Sequence, residues 1–318
     1  VIDIVYLCLG LLGLVAGGEL LVRGSVGIAQ RLGIPPLVIG LTLVGFGTST
    51  PELVTSLQAA FAGSPGIAVG NIVGSNIGNI LLILGLAALM RPIVVAPAAF
   101  RRDGTVLVAA TLICLGLVVL GDIGRGLGGG IFVLLLAYLT FTLWQERSGG
   151  TAAGEVYASE AEVVAPPAQS MGRLILTAVG GLAITIIGAR FLVTGAISVA
   201  GALGISETVI GLTVVAVGTS MPELVTSIIA VRKGEGDVAF GNIVGSNIFN
   251  ILGILGLTAL AHPLAVPVEI IRFDIWVMLA ATAALVVFAM TGWRIGRREG
   301  GILFLAYGAY VASLLALA

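Results

Sequence analysis

Chemistry in this sequence is confined to few positions. Two six-residue stretches, Gly47-Thr48-Ser49-Thr50-Pro51-Glu52 and Gly218-Thr219-Ser220-Met221-Pro222-Glu223, place carboxylates in otherwise apolar segments long enough to span a bilayer. A charge at mid-membrane costs about 2.5–3.5 kcal/mol on insertion scales, so an acid there marks a path or site for a cation. Proline lacks an amide hydrogen and displaces the carbonyl four residues earlier, so Pro51 frees Gly47 and Pro222 frees Gly218. In hydrocarbon such a carbonyl persists only where protein, water or an ion satisfies it. Thr48 and Glu52 are four residues apart and share a helix face, as do Thr219 and Glu223. Each break therefore clusters carbonyl, hydroxyl and carboxylate oxygens.

The following span carries Asn71, Ser75 and Asn79 at four-residue spacing, and a matching span carries Asn242, Ser246 and Asn250. Such a polar stripe can glue helices together, helped by small neighbours such as Gly70 and Gly74. Packing alone, however, does not require a glutamate opposite the stripe. Oxygen donors without histidine or cysteine select hard cations, and calcium takes six to eight oxygens. Two carboxylates balance one divalent cation, two monovalent cations or two protons. A single site holding these alternately follows the logic of an antiporter.

The elements that must position these residues are membrane helices. The chain has 318 residues, 58% hydrophobic and only 10% charged, whereas soluble domains carry about 25% charged residues. The fold class is an all-α polytopic membrane protein. The net charge of −1 gives no reason to expect a nucleic-acid partner, and no obligate protein partner or cofactor is evident. Cys8 and Cys114 lie in separate apolar runs and read as small buried hydrophobes. At about 20 apolar residues per span, ten helices are expected, near 3–28, 36–61, 67–90, 102–121 and 127–144, then 172–199, 207–231, 237–261, 272–291 and 299–317. The run from Ile4 to Val22 reads as a first membrane helix, since no basic segment precedes it. Residues 145–171 hold several glutamates, Pro166 and Pro167, and read as a flexible linker between a first five-helix unit, 1–144, and a second, 172–318.

The two units are copies. Adding 171 to a residue number between about 20 and 93 gives its equivalent, and 33 of the 50 positions from Leu37 to Leu86 are identical. Five spans is an odd number, so the second copy enters the membrane from the opposite side and the repeats are inverted. With the N-terminus outside, every lysine and arginine except Arg125, Arg190 and Arg272 falls on the inner side, as the positive-inside rule asks. Both termini are then outside, the linker is cytoplasmic, and a prokaryotic plasma membrane is the expected location. Inverted repeats with helices broken at the midplane are a recurrent design of secondary transporters. Glu19 and Arg190, at equivalent positions, read as anchoring or pairing residues, and His262, Trp144, Trp276 and Trp293 as interfacial ones.

The paired G-T-S-x-P-E and G-N-x-x-G-S-N-I-x-N motifs resemble the α-repeats of the cation/calcium exchanger superfamily, closest to prokaryotic sodium/calcium exchangers. The resemblance implies ten helices, alternating access and four central ion sites. It implies a calcium site at Glu52, Glu223, Thr48 and Thr219. It places sodium sites at the carbonyls of Gly45 and Ala216, at Ser49, Ser75, Ser220 and Ser246, and at Asn79. It also implies that the first and sixth helices, long and loosely packed, slide across the rest. Where archaeal-type sodium-coupled relatives carry an aspartate in the second repeat, this chain has Asn250, which makes the site more symmetric and one potential charge poorer.

The expected function is therefore electrogenic antiport of Ca2+ against Na+ without enzymatic activity, with proton- or potassium-coupled exchange as the alternative. A membrane-embedded hydrolase using Glu52 and Glu223 as acid and base is a different class, but no nucleophile–base pair or metal motif accompanies them. A passive channel is a third, disfavoured by the duplication with helix breaks.

Overall fold

The computed structural model describes residues 2–34, 38–39, 45–149 and 169–317. Helix α1 runs Ile2–Arg31; the first broken span contributes α2 (Gly45–Thr48) and α3 (Thr50–Phe61), its earlier part lying outside the described residues. Then come α4 (Pro65–Gly78), a π-helical stretch Asn79–Leu84, α5 (Gly85–Met90), α6 (Pro97–Val119) and α7 (Arg125–Gly149). The second set opens with α8 (Met171–Leu203), and its broken span comprises α9 (Glu207–Ile210), a π stretch Gly211–Val215, α10 (Ala216–Thr219) and α11 (Met221–Lys233). It ends with α12 (Gly236–Ile248), a π stretch Phe249–Leu255, α13 (Gly256–Ala261), a π stretch Ile270–Asp274 leading into α14 (Ile275–Met290), and α15 (Arg297–Leu317).

Among the described residues, eight helical runs are long and apolar enough to cross a membrane, and the bent pair Glu207–Thr219 and Met221–Lys233 makes a ninth. The expected span near 36–61 falls partly outside the described residues. Local signals explain the ends. Pro51, Pro65, Pro97 and Pro222 occupy the first two positions of their helices, where a missing amide costs nothing. Gly204 and Gly234 close α8 and α11 in the left-handed conformation, which glycine adopts without strain.

The polar-stripe spans form the centre. Over an 18-residue apolar window, 83% of residues are buried in each of the runs Pro65–Met90 and Gly236–Ala261, against 22–44% in the other continuous runs. Two short antiparallel ladders mark the ends of the bundle. β1 (Ile93–Val94) pairs with β4 (Arg294–Ile295), and at the other end β2 (Asp122–Ile123) pairs with β3 (Leu264–Ala265). Basic side chains gather at the β1/β4 end: Arg91 lies over Gly234, Arg101 over the Trp293 ring, and Arg297 donates to the Met90 carbonyl. Each ladder thus joins one sequence half to the other through non-equivalent connections, since the repeat offset makes β3 the counterpart of β1 and β4 that of β2.

Helices α1 and α8 lie antiparallel along one flank. Gly10, Gly17 and Gly24 recur every seven residues on α1, as do Gly181, Gly188 and Gly195 on α8, and each faces the partner's backbone. A Cβ at Gly17 would come within 2.5 Å of the Thr185 nitrogen. Small residues let membrane helices approach this closely. Asp3 ties one end of the pair by accepting from Ser198 at 2.6 Å. The two helices are therefore loosely covered by the rest of the bundle but closely packed on each other. Cys114 is buried as expected, but Cys8 is exposed, because its face of α1 points away from the bundle.

Candidate functional site

Each broken span turns at a serine. Ser49 (φ −88°, ψ 9°) and Ser220 (φ −81°, ψ 10°) leave helical geometry just ahead of the prolines. The second span bends by 45° there. The turn keeps its backbone partly paired: Leu53 and Leu224 amides donate to the Ser49 and Ser220 carbonyls, both at 3.1 Å, and Thr50 Oγ1 donates to the Phe46 carbonyl. The glutamates then fall in the first turn of α3 and α11, where the positive end of the helix dipole favours a carboxylate.

The two breaks meet. Ser49 Oγ donates to Glu223 Oε1 at 2.8 Å, and Ser220 Oγ donates to Glu52 Oε1 at 2.9 Å. Both glutamates are 0% exposed, and the second oxygen of each, Oε2, has no hydrogen-bond partner. Thr48 Oγ1 is likewise buried and unpartnered. The central helices add to this cluster. Ser246 donates to Glu223 Oε1 at 3.4 Å, and Ser75 and Thr219 donate to the Ala216 carbonyl at 3.5 and 3.2 Å. Among the described residues no group of three or more His, Cys, Asp or Glu side chains gathers, so the donors are hydroxyl, carbonyl and amide oxygens around two carboxylates. Unpartnered buried oxygens of that kind could hold a hard cation.

A model described as sodium/calcium exchanger protein matches residues 2–144 and 173–316. The chain belongs to the sodium/calcium exchanger protein family. It is 37% identical over 344 residues to the sodium/calcium exchanger MaX1 of Methanosarcina acetivorans, covering 98% of each chain. It is 38% identical over 311 residues to the inner membrane protein YrbG of Escherichia coli, covering 97% of this chain and 94% of that one. Among solved structures it resembles the sodium-calcium exchanger NCX_Mj soaked with Na+ and Sr2+, with a TM-score of 0.67, 32% identity and 98% of each chain covered.

In this exchanger-family chain, several sequence-derived candidates converge at the two breaks: Ser49 and Ser246 donate to Glu223, Ser220 donates to Glu52, and Thr219 and Ser75 donate to the Ala216 carbonyl. Gly45 starts α2, three residues before Thr48. Asn79 and Asn250 lie in the two central π stretches; π turns displace the backbone register and recur at functional sites. Asn79 donates to Asn247 Oδ1 at 3.0 Å, and Asn247 donates to the Asn76 carbonyl at 3.4 Å. Neither Asn76 nor Asn247 was singled out by the i, i+4 stripe. Their signal was their identity across the repeat within an otherwise apolar span.

The two halves are not in the same state. Asn71 donates to the Glu52 carbonyl and Ser56 and accepts from Thr219 at 2.9 Å. Its equivalent Asn242 has no side-chain partner, and neither do Ser227 and Thr48, the equivalents of Ser56 and Thr219. Packing shows the same asymmetry. α8 closes on α3, with Gln58 Nε2 donating to the Ile186 carbonyl at 3.3 Å and Thr55 0% exposed. α1 and α11 instead flank a cleft of about 120 Å³ that reaches Thr48 and Pro222. Val225 and Ile229 on its wall are 45% and 41% exposed. The cleft's lining runs from Thr48 and Pro222 along α11 to Ile229, toward the end of α11 that lies beside Arg91 and the β1/β4 ladder.

Proposed function

We propose that the protein is a secondary antiporter that exchanges Ca2+ for Na+ across a membrane by alternating access, a transporter rather than an enzyme. The observation that carries this reading is the reciprocal pairing of Ser49 with Glu223 and Ser220 with Glu52, which leaves one oxygen of each buried carboxylate unpartnered. Glu52, Glu223, Thr48 and Thr219 would hold calcium. Ser49, Ser220, Ser75, Ser246, Asn79, Asn250 and the carbonyls of Gly45 and Ala216 would complete sodium positions around them. Binding one Ca2+ or two monovalent cations neutralises the same two charges, so the ligands compete for one site and exchange rather than cotransport follows.

We assign the repeats to 1–144 and 172–318, with 145–171 as a cytoplasmic linker, in the cell membrane with both termini outside. The gathering of basic residues at the β1/β4 end supports that orientation. Proton or potassium coupling is the alternative to sodium. The deciding experiment is calcium-45 uptake into proteoliposomes under imposed sodium, potassium or proton gradients. Uptake driven by outward sodium alone supports the reading; uptake requiring a proton gradient, or none under any gradient, overturns it.

A further inference from the structure

We propose that Glu19, gripped by Arg23, recruits cations into the cleft open to the β1/β4 end, and that Arg190 makes the opposite approach repel them. The inference rests on the antiport reading and adds a difference between the two faces of the protein. Glu19 and Arg23 are four residues apart on α1, pair at 2.5 Å, and both side chains are 55% exposed. Both line the cleft that also contains Thr48, Pro222 and Val225. Glu19 lies about 18 Å along the helix from Arg31, at 1.5 Å per residue. At that depth a half-exposed charge is costly against lipid, and lining the cleft beside its partner Arg23 offsets part of that cost. The acid thus stands in the approach to the glutamate pair.

The repeat offset places Arg190 where Glu19 stands, and Thr194 where Arg23 stands. Arg190 is exposed on α8, one turn from Ile186, whose carbonyl Gln58 holds on the closed side. When that side opens, the equivalent vestibule has a positive charge at the equivalent place. A charge in a cleft with low-dielectric walls focuses field along it and changes ligand encounter by about tenfold or more. Such steering cannot alter the equilibrium of coupled exchange, but it sets how readily each face loads. Arg23 tempers Glu19, so that the acid attracts a cation without retaining it.

The test uses the full chain in oriented proteoliposomes, with calcium-45 exchange measured separately at each face. Glu19→Gln is expected to raise the calcium KM at the β1/β4 face about threefold or more, with the shift shrinking as added salt screens the charge. Arg190→Gln is expected to lower KM at the opposite face. Equal shifts at both faces, or shifts insensitive to salt, would overturn the proposal. A second readout does not need transport: Val225→Cys in a Cys8→Ser background, labelled with cationic and anionic thiosulfonate reagents. Glu19→Gln is expected to lower the ratio of cationic to anionic labelling rates several-fold, and an unchanged ratio would overturn the proposal. If wild-type protein shows no sodium-driven calcium flux, the antiport reading fails while this ratio still decides the role of Glu19.

Discussion

Ser49 donates to Glu223 across 174 positions of sequence, and Ser220 returns the same bond to Glu52. Each break is therefore completed by the carboxylate of the other, and neither half holds a finished site. Glu52→Gln or Glu223→Gln is expected to abolish calcium transport while leaving the protein folded, because a buried neutral amide costs less than an unpaired charge. Calcium-45 flux alongside thermal stability of the purified variants checks this. Wild-type flux in either variant would exclude the pair as the site.

Reciprocity also fixes the relative size of two milder changes. Ser49→Ala and Ser220→Ala each remove one donor to a buried carboxylate, an interaction worth about 1.5–3 kcal/mol when one partner is charged. Both are expected to change apparent calcium affinity, in the same direction and by similar factors. Calcium titration of exchange gives the two values, and an effect confined to one serine would mean that the halves contribute unequally.

Much of this site was legible because polar residues are conspicuous in apolar spans: Glu52, Glu223, Ser49 and Ser220 stand out without reference to any fold. The Asn76 and Asn247 contacts were not, since each stands one residue off the i, i+4 stripe, next to Ser75 and Ser246. Cys8 was placed inside because lipid and protein interior accept the same apolar side chains, so hydropathy does not separate them. The glycine seam was present at 10, 17 and 24 but hidden among 47 glycines. The open and closed sides could not be read at all: nearly identical motifs adopt different packing on the two sides, and composition does not encode which is open.

That difference in packing makes a prediction of opposite sign for equivalent residues. Asn71 is bonded in this conformation and Asn242 is not, and inverted repeats exchange roles when access alternates. Asn71→Ala is expected to disfavour the form open toward β1/β4, and Asn242→Ala to favour it. At about 1 kcal/mol per net hydrogen bond, each shift is roughly fivefold. Labelling rates of Val225→Cys from that face report the population, and shifts of the same sign in both variants would contradict the exchange.

The α1–α8 seam predicts a steric effect with an internal control. Gly17→Ala pushes a methyl into the Thr185 backbone, whereas a Cβ at Gly180 meets nothing within 4 Å. Overpacking of this kind costs about 1–3 kcal/mol, so Gly17→Ala is expected to lower thermal stability and Gly180→Ala to leave it level or raise it. Melting curves in detergent separate the two.

Asn250 decides the last prediction. Glu52 and Glu223 neutralise one Ca2+ or two Na+, and the position that would supply a third carboxylate is an asparagine, buried at 1% exposure with both polar side-chain atoms unpartnered. An amide oxygen can coordinate a third sodium but cannot cancel its charge. Moving three Na+ against one Ca2+ carries one net positive charge per cycle whichever residue stands at 250, and the membrane potential acts on it at about 2.3 kcal/mol per 100 mV. Calcium flux in sodium-loaded vesicles with a valinomycin-set potential is expected to change steeply with voltage. A sodium-dependent flux that ignores voltage would mean two Na+ per Ca2+, with Asn250 bonded to protein rather than to an ion. Asn250→Asp then gives the converse: with a third carboxylate in place, binding of a third cation strengthens, and the sodium concentration needed to drive exchange falls.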